Sequence, residues 1–426
     1  MKCYHFILSF LCSYIIYAFA PVTERNTVKN VTEFEAILQH VQSYDNIVLA
    51  NGICMDAELL FEAHVATEKT ITLTFEKREK AILSGVSNLN ITGDLLIVRG
   101  LAFKNVHTTT YSIISFIKSR KLMTNNSHLT ECVIDNFNNP ERQVQDYLIS
   151  IYGKNNRIDH NHITEKKNLD VTMIFGLVTK ENKGTTWYSK VDNTIALNFG
   201  NSVIYTSKNS MIDNYKLFIE SSVFKDIIIY HFFDVLRVSK STFSDTISIQ
   251  NSNFKNITGS IVAMDKETDD IGAYNIEHFS LKKKSFNDLQ GAALTFYRGD
   301  KDESAFGPFL EVQHTVFEHV GYGSKNKYDA TLPSYGVQEI DIKNNIFKDR
   351  KAIKVHLVFG EPIFKILNTA LSNSEKLIVT GKQKYWVENQ WQLAPKFSDD
   401  NNYFLTVDSP LKEKSADGEY LGLIHN

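Results

Sequence analysis

The chain is poor in the features that mark several classes of protein. It has four cysteines, seven prolines and a formal net charge of −3 in 426 residues. Four cysteines are too few for a small domain held together by disulfides. The near-neutral charge gives no overall sign of binding to nucleic acid or to an anionic membrane. Few prolines beside 28 phenylalanines and 19 tyrosines suit a globular protein rich in strands.

The N-terminus resembles an export signal. Lys2 gives a short positive start, an apolar stretch follows, and Ala18-Phe19-Ala20 has the form of a cleavage site. We predict a signal peptide over residues 1–20 and a secreted or periplasmic protein. No later segment is long and apolar enough to span a bilayer.

The cysteines leave one question open. Cys3 and Cys12 fall within the predicted signal, so Cys54 and Cys132 remain. They could form one bridge in an oxidising compartment, or stay as buried thiols. No spacing of cysteine and histidine suits zinc.

One short phrase recurs along the chain. An aromatic or aliphatic anchor is followed by a polar residue and then by Asn, Asp or His, and successive anchors within each half are 30 to 32 residues apart. Such a period indicates one structural unit stacked on copies of itself, with a long side wall that suits a polymer. The anchors are Phe103, Ile134, Phe224, Phe254, Phe286, Phe317 and Phe347.

The repeat predicts an all-β fold, a right-handed parallel β-helix. Short strands at 70–75 and 95–99, with Asn at the turns, favour this over a β-propeller, whose blades are longer. Residues 31–50 begin with a helical pattern in which Thr32 to Glu35 resembles a capping box, and a strand follows. We expect this helix to cap the end of the solenoid.

The repeat also suggests domain limits. Residues 180–200 are polar and unpatterned, and they divide a first β-helix at 21–195 from a second at 196–375. Residues 376–426 lose the repeat, and we expect them to form a C-terminal cap or flap.

Two stretches resemble a known family. Tyr152 to Asn168, with Asn156-Arg157-Ile158-Asp159-His160 at its centre, is similar to the signature of polysaccharide lyase family 6, which includes chondroitinase B and alginate lyases. Glu165-Lys166 stands where that family has Gly-Lys. Further on, segments at 270–275, 296–308, 336–338 and 360–362 resemble the second β-helix of two-domain alginate lyases.

The resemblance implies a mechanism. Such enzymes cleave uronate polymers by β-elimination: calcium neutralises the substrate carboxylate, a lysine removes the C5 proton, and an arginine stabilises the developing charge. A lysine base needs nearby positive charge to lose its proton near neutral pH. The implied cofactor is therefore calcium, and the implied partner is an acidic polysaccharide such as alginate.

The catalytic segments depart from the family pattern. The closest match to the lysine segment is Asp234 to Ser241, which offers Lys240 as the base and Arg237 as the arginine. Asp234 and Glu220 are the candidate calcium ligands, although calcium takes six to eight oxygens. In the family, the arginine follows one rung later in Arg-His-Gly; this chain has no Arg-His-Gly, and Met264 occupies the place where that arginine is expected.

Two explanations fit this departure. Residues 200–260 could belong to the second domain, with the catalytic half of the first domain missing, which we favour. Alternatively, the site is rebuilt from other residues.

Further residues are candidates for binding the polymer, because carboxylates pair best with cations. Lys166 and Lys167 lie near the end of the signature, and His160 would share one face with His162 on a strand. His160 could equally be a stacked turn residue. Arg298 lies before Asp302 and Glu303, so a buried ion pair is its structural alternative.

Three functions remain open at this point. The first is a lyase of uronate polymers, the second a catalytically degenerate β-helix that binds acidic polysaccharide without cleaving it, and the third a structural solenoid or adhesin. The ordered motifs argue against the third. We expect a monomer in each case.

Overall fold

The computed structural model describes most of the chain between residues 25 and 422. The predicted signal peptide and the anchor Phe286 lie outside the described residues. The described ranges are 25–64, 69–107, 112–119, 122–137, 147–166, 171–175, 187–200, 204–206, 211–212, 215–225, 228–229, 236–238, 242–243, 246–257, 262–264, 273–277, 280–283, 294–297, 309–318, 334–335, 339–350, 354–356, 363–374, 378–380, 384–398, 403–414 and 421–422.

The described residues form one helix, α1 (Val31–Leu38), and many short strands. The first strands are β1 (Arg25–Val28), β2 (Asn46–Leu49), β3 (Gly52–Met55), β4 (Glu58–Ala63), β5 (Ile71–Phe75), β6 (Ala81–Val86), β7 (Asn88–Asp94), β8 (Leu96–Arg99), β9 (Ala102–His107), β10 (Ser112–Ser115), β11 (Ile117–Ser119), β12 (Leu122–Asn125), β13 (His128–Thr130) and β14 (Val133–Asp135). The middle strands are β15 (Tyr147–Ile151), β16 (Asn156–Asp159), β17 (His162–Lys166), β18 (Met173–Phe175), β19 (Trp187–Asp192), β20 (Ile195–Gly200), β21 (Ile204–Thr206), β22 (Met211–Ile212), β23 (Tyr215–Glu220), β24 (Val223–Lys225), β25 (Ile228–Ile229), β26 (Leu236–Val238), β27 (Thr242–Phe243) and β28 (Thr246–Gln250). The last strands are β29 (Asn253–Ile257), β30 (Val262–Met264), β31 (Ala273–Glu277), β32 (Ser280–Lys283), β33 (Leu294–Tyr297), β34 (Phe309–Gln313), β35 (Val316–Glu318), β36 (Ser334–Tyr335), β37 (Glu339–Lys343), β38 (Ile346–Arg350), β39 (Lys354–His356), β40 (Ile363–Ser374), β41 (Ile378–Thr380) and β42 (Lys384–Trp391).

These strands build three parallel ladders, one strand of each per coil. Sheet I runs β1, β2, β5, β8, β13, β16, β19, β23, β28, β31, β34, β37, the first half of β40, and β42. Sheet II runs β3, β6, β9, β14, β17, β20, β24, β29, β32, β35, β38 and the second half of β40. Sheet III runs β4, β7, β10, β15, β18, β21, β26, β30, β33, β36, β39 and β41. This is the predicted parallel β-helix. The ladders continue through residues 187–200, and the domain limit at 195/196 stays a prediction.

The anchors of the repeat stack along sheet II. Phe224 is in register with Phe254, their rings are 4.7 Å apart and nearly parallel, and both side chains are buried. Phe254 is followed in register by Leu281, and Leu281 by Phe317. The prediction that Phe286 is the next anchor was therefore wrong, because the coil after Phe254 is shorter than its neighbours.

Each corner between sheets I and II has two residues with different roles. The first adopts a left-handed backbone, as at Asn193, Asn251 and Asn344, and asparagine tolerates this conformation better than most residues. The second is buried and often polar. The backbone N–H of Cys132 donates to Oδ1 of Asn161, one coil further on, at 2.9 Å. The predicted use of asparagine at the turns is confirmed.

The helix begins at a different residue from the one predicted. Asn30 is its N-cap, and its side chain accepts a hydrogen bond from the backbone of Glu33 at 2.9 Å. The Glu33 carboxylate reaches back to the backbone N–H of Lys29 at 2.8 Å. The capping box is thus Asn30 to Glu33, and the expected pair Thr32 and Glu35 lies inside the helix.

The helix lies against the first coil of the stack. Phe34, its one fully buried residue, contacts Phe61 of β4 with ring centroids 6.4 Å apart. β1 and β4, which α1 contacts, are the first strands of sheets I and III.

The C-terminal segment packs back onto the stack. Leu411 and Leu421 are buried against Val316 and Ile346 of sheet II. Tyr403 donates its hydroxyl to the buried carboxylate of Glu318 at 2.7 Å.

Both described cysteines are free thiols, Cys132 buried and Cys54 half-buried. Burial raises the pKa of the Cys132 thiol to about 12. Of the two alternatives left open by the sequence, the structure therefore has free thiols. In the part of the chain that the structure describes, no helix is long and apolar enough to cross a membrane.

Candidate functional site

The outer face of sheet I carries two neighbouring columns of charge. His128, Arg157 and Lys190 are in register on successive strands. Two positions along the same strands, Asp159, Asp192 and Glu220 are likewise in register. We call this surface the charged wall; it consists of Arg99, His128, Arg157, Asp159, Lys190, Asp192 and Glu220.

Two cations of the charged wall, Arg157 and Lys190, each bridge two acids. Arg157 contacts Asp159 on its own strand at 2.6 Å and Asp192 on the next coil at 2.8 Å. Lys190 repeats this pattern, with Asp192 at 3.3 Å and Glu220 at 2.6 Å. The contacts therefore run diagonally up the stack and join successive coils.

Asp159 lies at the centre of this network. Its carboxylate is 2% exposed and lies 2.8 Å from Nε2 of His128 and 3.1 Å from Nδ1 of His160. Burial alone would raise the pKa of Asp159, but hydrogen bonds from His128, Thr130 and His160 outweigh it and hold that pKa well below its usual range.

The pKa values of Lys190 and Glu131 are also shifted so that the charged form of each is favoured. Burial opposes the charge of Lys190, but its hydrogen bond with Glu220 prevails and raises the lysine pKa. Hydrogen bonding between Arg99 and Glu131 at 2.7 Å lowers the pKa of Glu131. Arg157 and Lys190 are therefore each held between two carboxylates of the chain itself, whereas Arg99 faces one.

Replacing Asp159 by asparagine is expected to lower the free energy of unfolding by about 2 kcal/mol, because Arg157 loses one of its two carboxylates at a buried position. The folded-state pKa of Asp159 is depressed, so its contribution is present above the unfolded value of about 4 and is lost as pH falls further. Urea denaturation at several pH values checks this: the gap between wild type and variant should narrow in acid. Asp408→Asn, which removes an exposed carboxylate paired with Lys396, is the control.

A second feature of sheet I lies at its N-terminal end. A shallow depression crosses β1, β2, β5 and β8, and it adjoins the charged wall at Arg99. We call it the N-terminal depression; it is lined by Arg25, Asn46, Val48, Thr72, Thr74, Ile97 and Arg99. Among the described residues that line it there is no carboxylate.

Most of the site residues suggested by the sequence are not among the described residues. Lys240, Asp234, Lys167 and Arg298 lie outside the described residues. Arg237 is in β26 of sheet III, where its backbone is in register with Tyr205 and Ala263.

The described strands of the predicted catalytic and calcium-binding set belong to different sheets. Glu220 ends β23 in sheet I, whereas Arg237 belongs to sheet III. One coil beyond Arg237, the described strand β30 contains Val262, Ala263 and Met264, with Met264 in register with Val238. That strand supplies no cation at the place where the family pattern has an arginine.

Two predicted polymer contacts occupy unlike surroundings. Lys166 is 1% exposed, so the structure places its side chain in the interior and not on an open wall. His160 is exposed but lies in the corner between β16 and β17, with a left-handed backbone. The prediction that His160 shares a strand face with His162 was therefore wrong. The alternative, that His160 is a stacked turn residue, is confirmed.

The described residues do not fit a calcium site. Calcium takes six to eight oxygen ligands, and no group of three acidic, histidine or cysteine residues in the described ranges could hold a metal ion. Glu220, the described candidate ligand, is engaged by Lys190. Calcium therefore stays a prediction of the resemblance, through Asp234 outside the described residues.

The sequence reasoning missed the charged wall. Its signal was present in the pairs Arg157-Ile158-Asp159 and Lys190-Val191-Asp192, which share a cation, an apolar residue and an acid. Alignment on the repeat would have placed them on adjacent strands. Arg25 has no comparable sequence signal.

Comparison with known proteins supports the resemblance. Residues 28–203 match the family described as Chondroitinase B, and these residues include the N-terminal depression apart from Arg25 and the charged wall as far as Asp192. A comparison with curated proteins gave no match.

Solved structures of polysaccharide lyases have a similar fold. A PL6 family alginate lyase superposes with a TM-score of 0.67 at 20% identity, covering 94% of this chain and 58% of its own. A mannuronic acid specific family 6 lyase from human gut microbiota gives 0.53 at 15% identity, covering 88% and 89%. A PL6 family polysaccharide lyase from Pseudopedobacter saltans gives 0.52 at 12% identity, covering 94% and 100%.

The sequence-based recognition is thereby confirmed. The chain is similar to the proteins of polysaccharide lyase family 6 in two respects. Residues 28–203 match the Chondroitinase B family, and the described residues have the β-helical fold of the solved family 6 structures. It spans little more than half the length of the alginate lyase structure with the higher TM-score.

Proposed function

We propose that this chain acts on an acidic polysaccharide of the alginate or dermatan type and cleaves it by β-elimination. The observation that carries the proposal is the chondroitinase B match over residues 28–203. A long wall of parallel strands also suits an extended polymer. Export through the predicted signal at residues 1–20 would bring a monomeric enzyme to such a substrate outside the cell.

The reaction requires a base and a means to stabilise negative charge. In our proposal, the amine of Lys240 removes the C5 proton of a uronate, and the electron pair released expels the 4-linked oxygen to form a C4–C5 double bond. Arg237 would supply positive charge that favours the neutral amine and balances the developing anion. If calcium binds through Asp234, it would act as a Lewis acid on the uronate carboxylate.

A second function has a specific observation in its favour. The described coil after Arg237 offers Ala263 and Met264, and the sequence has no Arg-His-Gly. A β-helix without this arginine would hold the polymer but not cleave it. We therefore keep polysaccharide binding without cleavage as the alternative.

One experiment separates the two functions. Purified protein is passed over an alginate column and, separately, incubated with alginate, poly-mannuronate and dermatan sulfate while ultraviolet absorbance is followed. Cleavage predicts a rise in absorbance from the new double bond. Retention without a rise would favour the binding protein, and neither retention nor a rise would contradict both.

A further inference from the structure

The N-terminal depression differs electrostatically from the charged wall. In the charged wall, Arg157 and Lys190 each contact two carboxylates. In the depression, the Arg25 side chain is exposed and makes no ion pair or hydrogen bond with the described part of the chain. Arg99 faces one acid, Glu131, and its side chain is 54% exposed. An arriving anion would therefore meet cations there with little competition.

The floor of the depression suits a sugar. Asn46, Thr72 and Thr74 present amide and hydroxyl groups that can donate to and accept from sugar hydroxyls. Val48 and Ile97 add apolar surface beside them. A small number of convergent polar groups on a partly apolar surface is typical of a binding site.

The spacing suits several units of a polymer. Arg25 in β1 and Arg99 in β8 are separated by three strand spacings, or about 14 Å. The depression is continuous with the charged wall, because Ile97 is in register with His128. β28, the next strand of sheet I after Lys240 in the sequence, lies five strand spacings or about 24 Å from β8.

From these observations we propose that the N-terminal depression is a remote subsite for an anionic sugar unit of the polysaccharide, held by Arg25 and Arg99. The proposal rests on the proposed function and deepens it. A subsite at this distance adds affinity for long chains that also reach the region of Lys240. Short oligosaccharides would occupy one region or the other.

The test measures binding by isothermal titration calorimetry, independently of cleavage. Wild type, Arg25→Ala, Arg99→Ala and Arg78→Ala are each titrated with poly-mannuronate, dermatan sulfate and uncharged dextran. Arg25→Ala and Arg99→Ala should each weaken binding of the acidic polymers about fivefold, because each removes one exposed cation. Arg78→Ala removes another exposed arginine, outside the depression, and should change nothing.

The outcomes separate the subsite from the function. A loss with both acidic polymers identifies the uronate carboxylate, which both carry, as the ligand, and a loss with poly-mannuronate alone identifies an anionic unit particular to that polymer. Wild-type affinity in Arg25→Ala and Arg99→Ala would overturn the subsite and leave the proposed function standing. Failure of wild type to bind either acidic polymer would overturn both. Arg25 is exposed, so unchanged thermal unfolding verifies that its variant is folded.

Discussion

Replacing Lys240 by alanine is expected to lower the rate of elimination by about a thousandfold, because alanine cannot accept the C5 proton. Arg237 lies three residues earlier, and its positive charge would favour the neutral form of the amine. The measurement is the initial rate of absorbance increase on poly-mannuronate for wild type and variant. Binding of the polymer should change little, since the loss concerns proton transfer.

The control for this variant is Lys80→Ala. Lys80 is an exposed lysine in the turn between β5 and β6, so the same side chain is removed far along the chain from Arg237. It should keep the wild-type rate. An active enzyme whose Lys240→Ala variant is equally fast would remove Lys240 as the base and favour a site rebuilt from other residues.

Replacing Gly93 by alanine is expected to lower the free energy of unfolding by about 4 kcal/mol. Gly93 has φ +133°, which residues with a Cβ rarely adopt, and it is in register with Ala63 of β4. A Cβ there would overlap the carbonyl oxygen of Ala63, which is backbone and cannot turn aside. Urea denaturation followed by circular dichroism measures the loss.

Gly52→Ala separates strain from overlap. Gly52 has φ +147°, but a Cβ there would have no neighbour within 4 Å. This variant should cost about 1 to 2 kcal/mol, from backbone strain alone. Equal losses at the two positions would contradict the close approach of β4 and β7 in the first coils.

The sequence predicted the fold because the repeat exposes it. Phe224, Phe254, Phe317 and Phe347 recur at nearly constant spacing, and all four are buried in sheet II. The spacing misled where a coil changes length, so that Leu281 and not Phe286 follows Phe254. A period identifies stacked coils, but local chain length decides which residue enters the register.

The site was harder to predict because its contacts join separate coils. Arg157 and Asp192 are 35 residues apart in sequence, and nothing local to either residue marks the other as its neighbour. Lys166 looked like a surface cation beside the family signature, yet the end of β17 places it inside. Motifs near in sequence do not reveal which residues face outward until the register is known.

The most direct test of elimination is mass spectrometry of the products released from poly-mannuronate. We predict oligosaccharides with an unsaturated uronate at the non-reducing end, each lighter by one water than the corresponding hydrolysis product. Saturated products would show hydrolysis and contradict the proposed chemistry. An unchanged polymer that remains bound to the protein would contradict cleavage and favour the binding function.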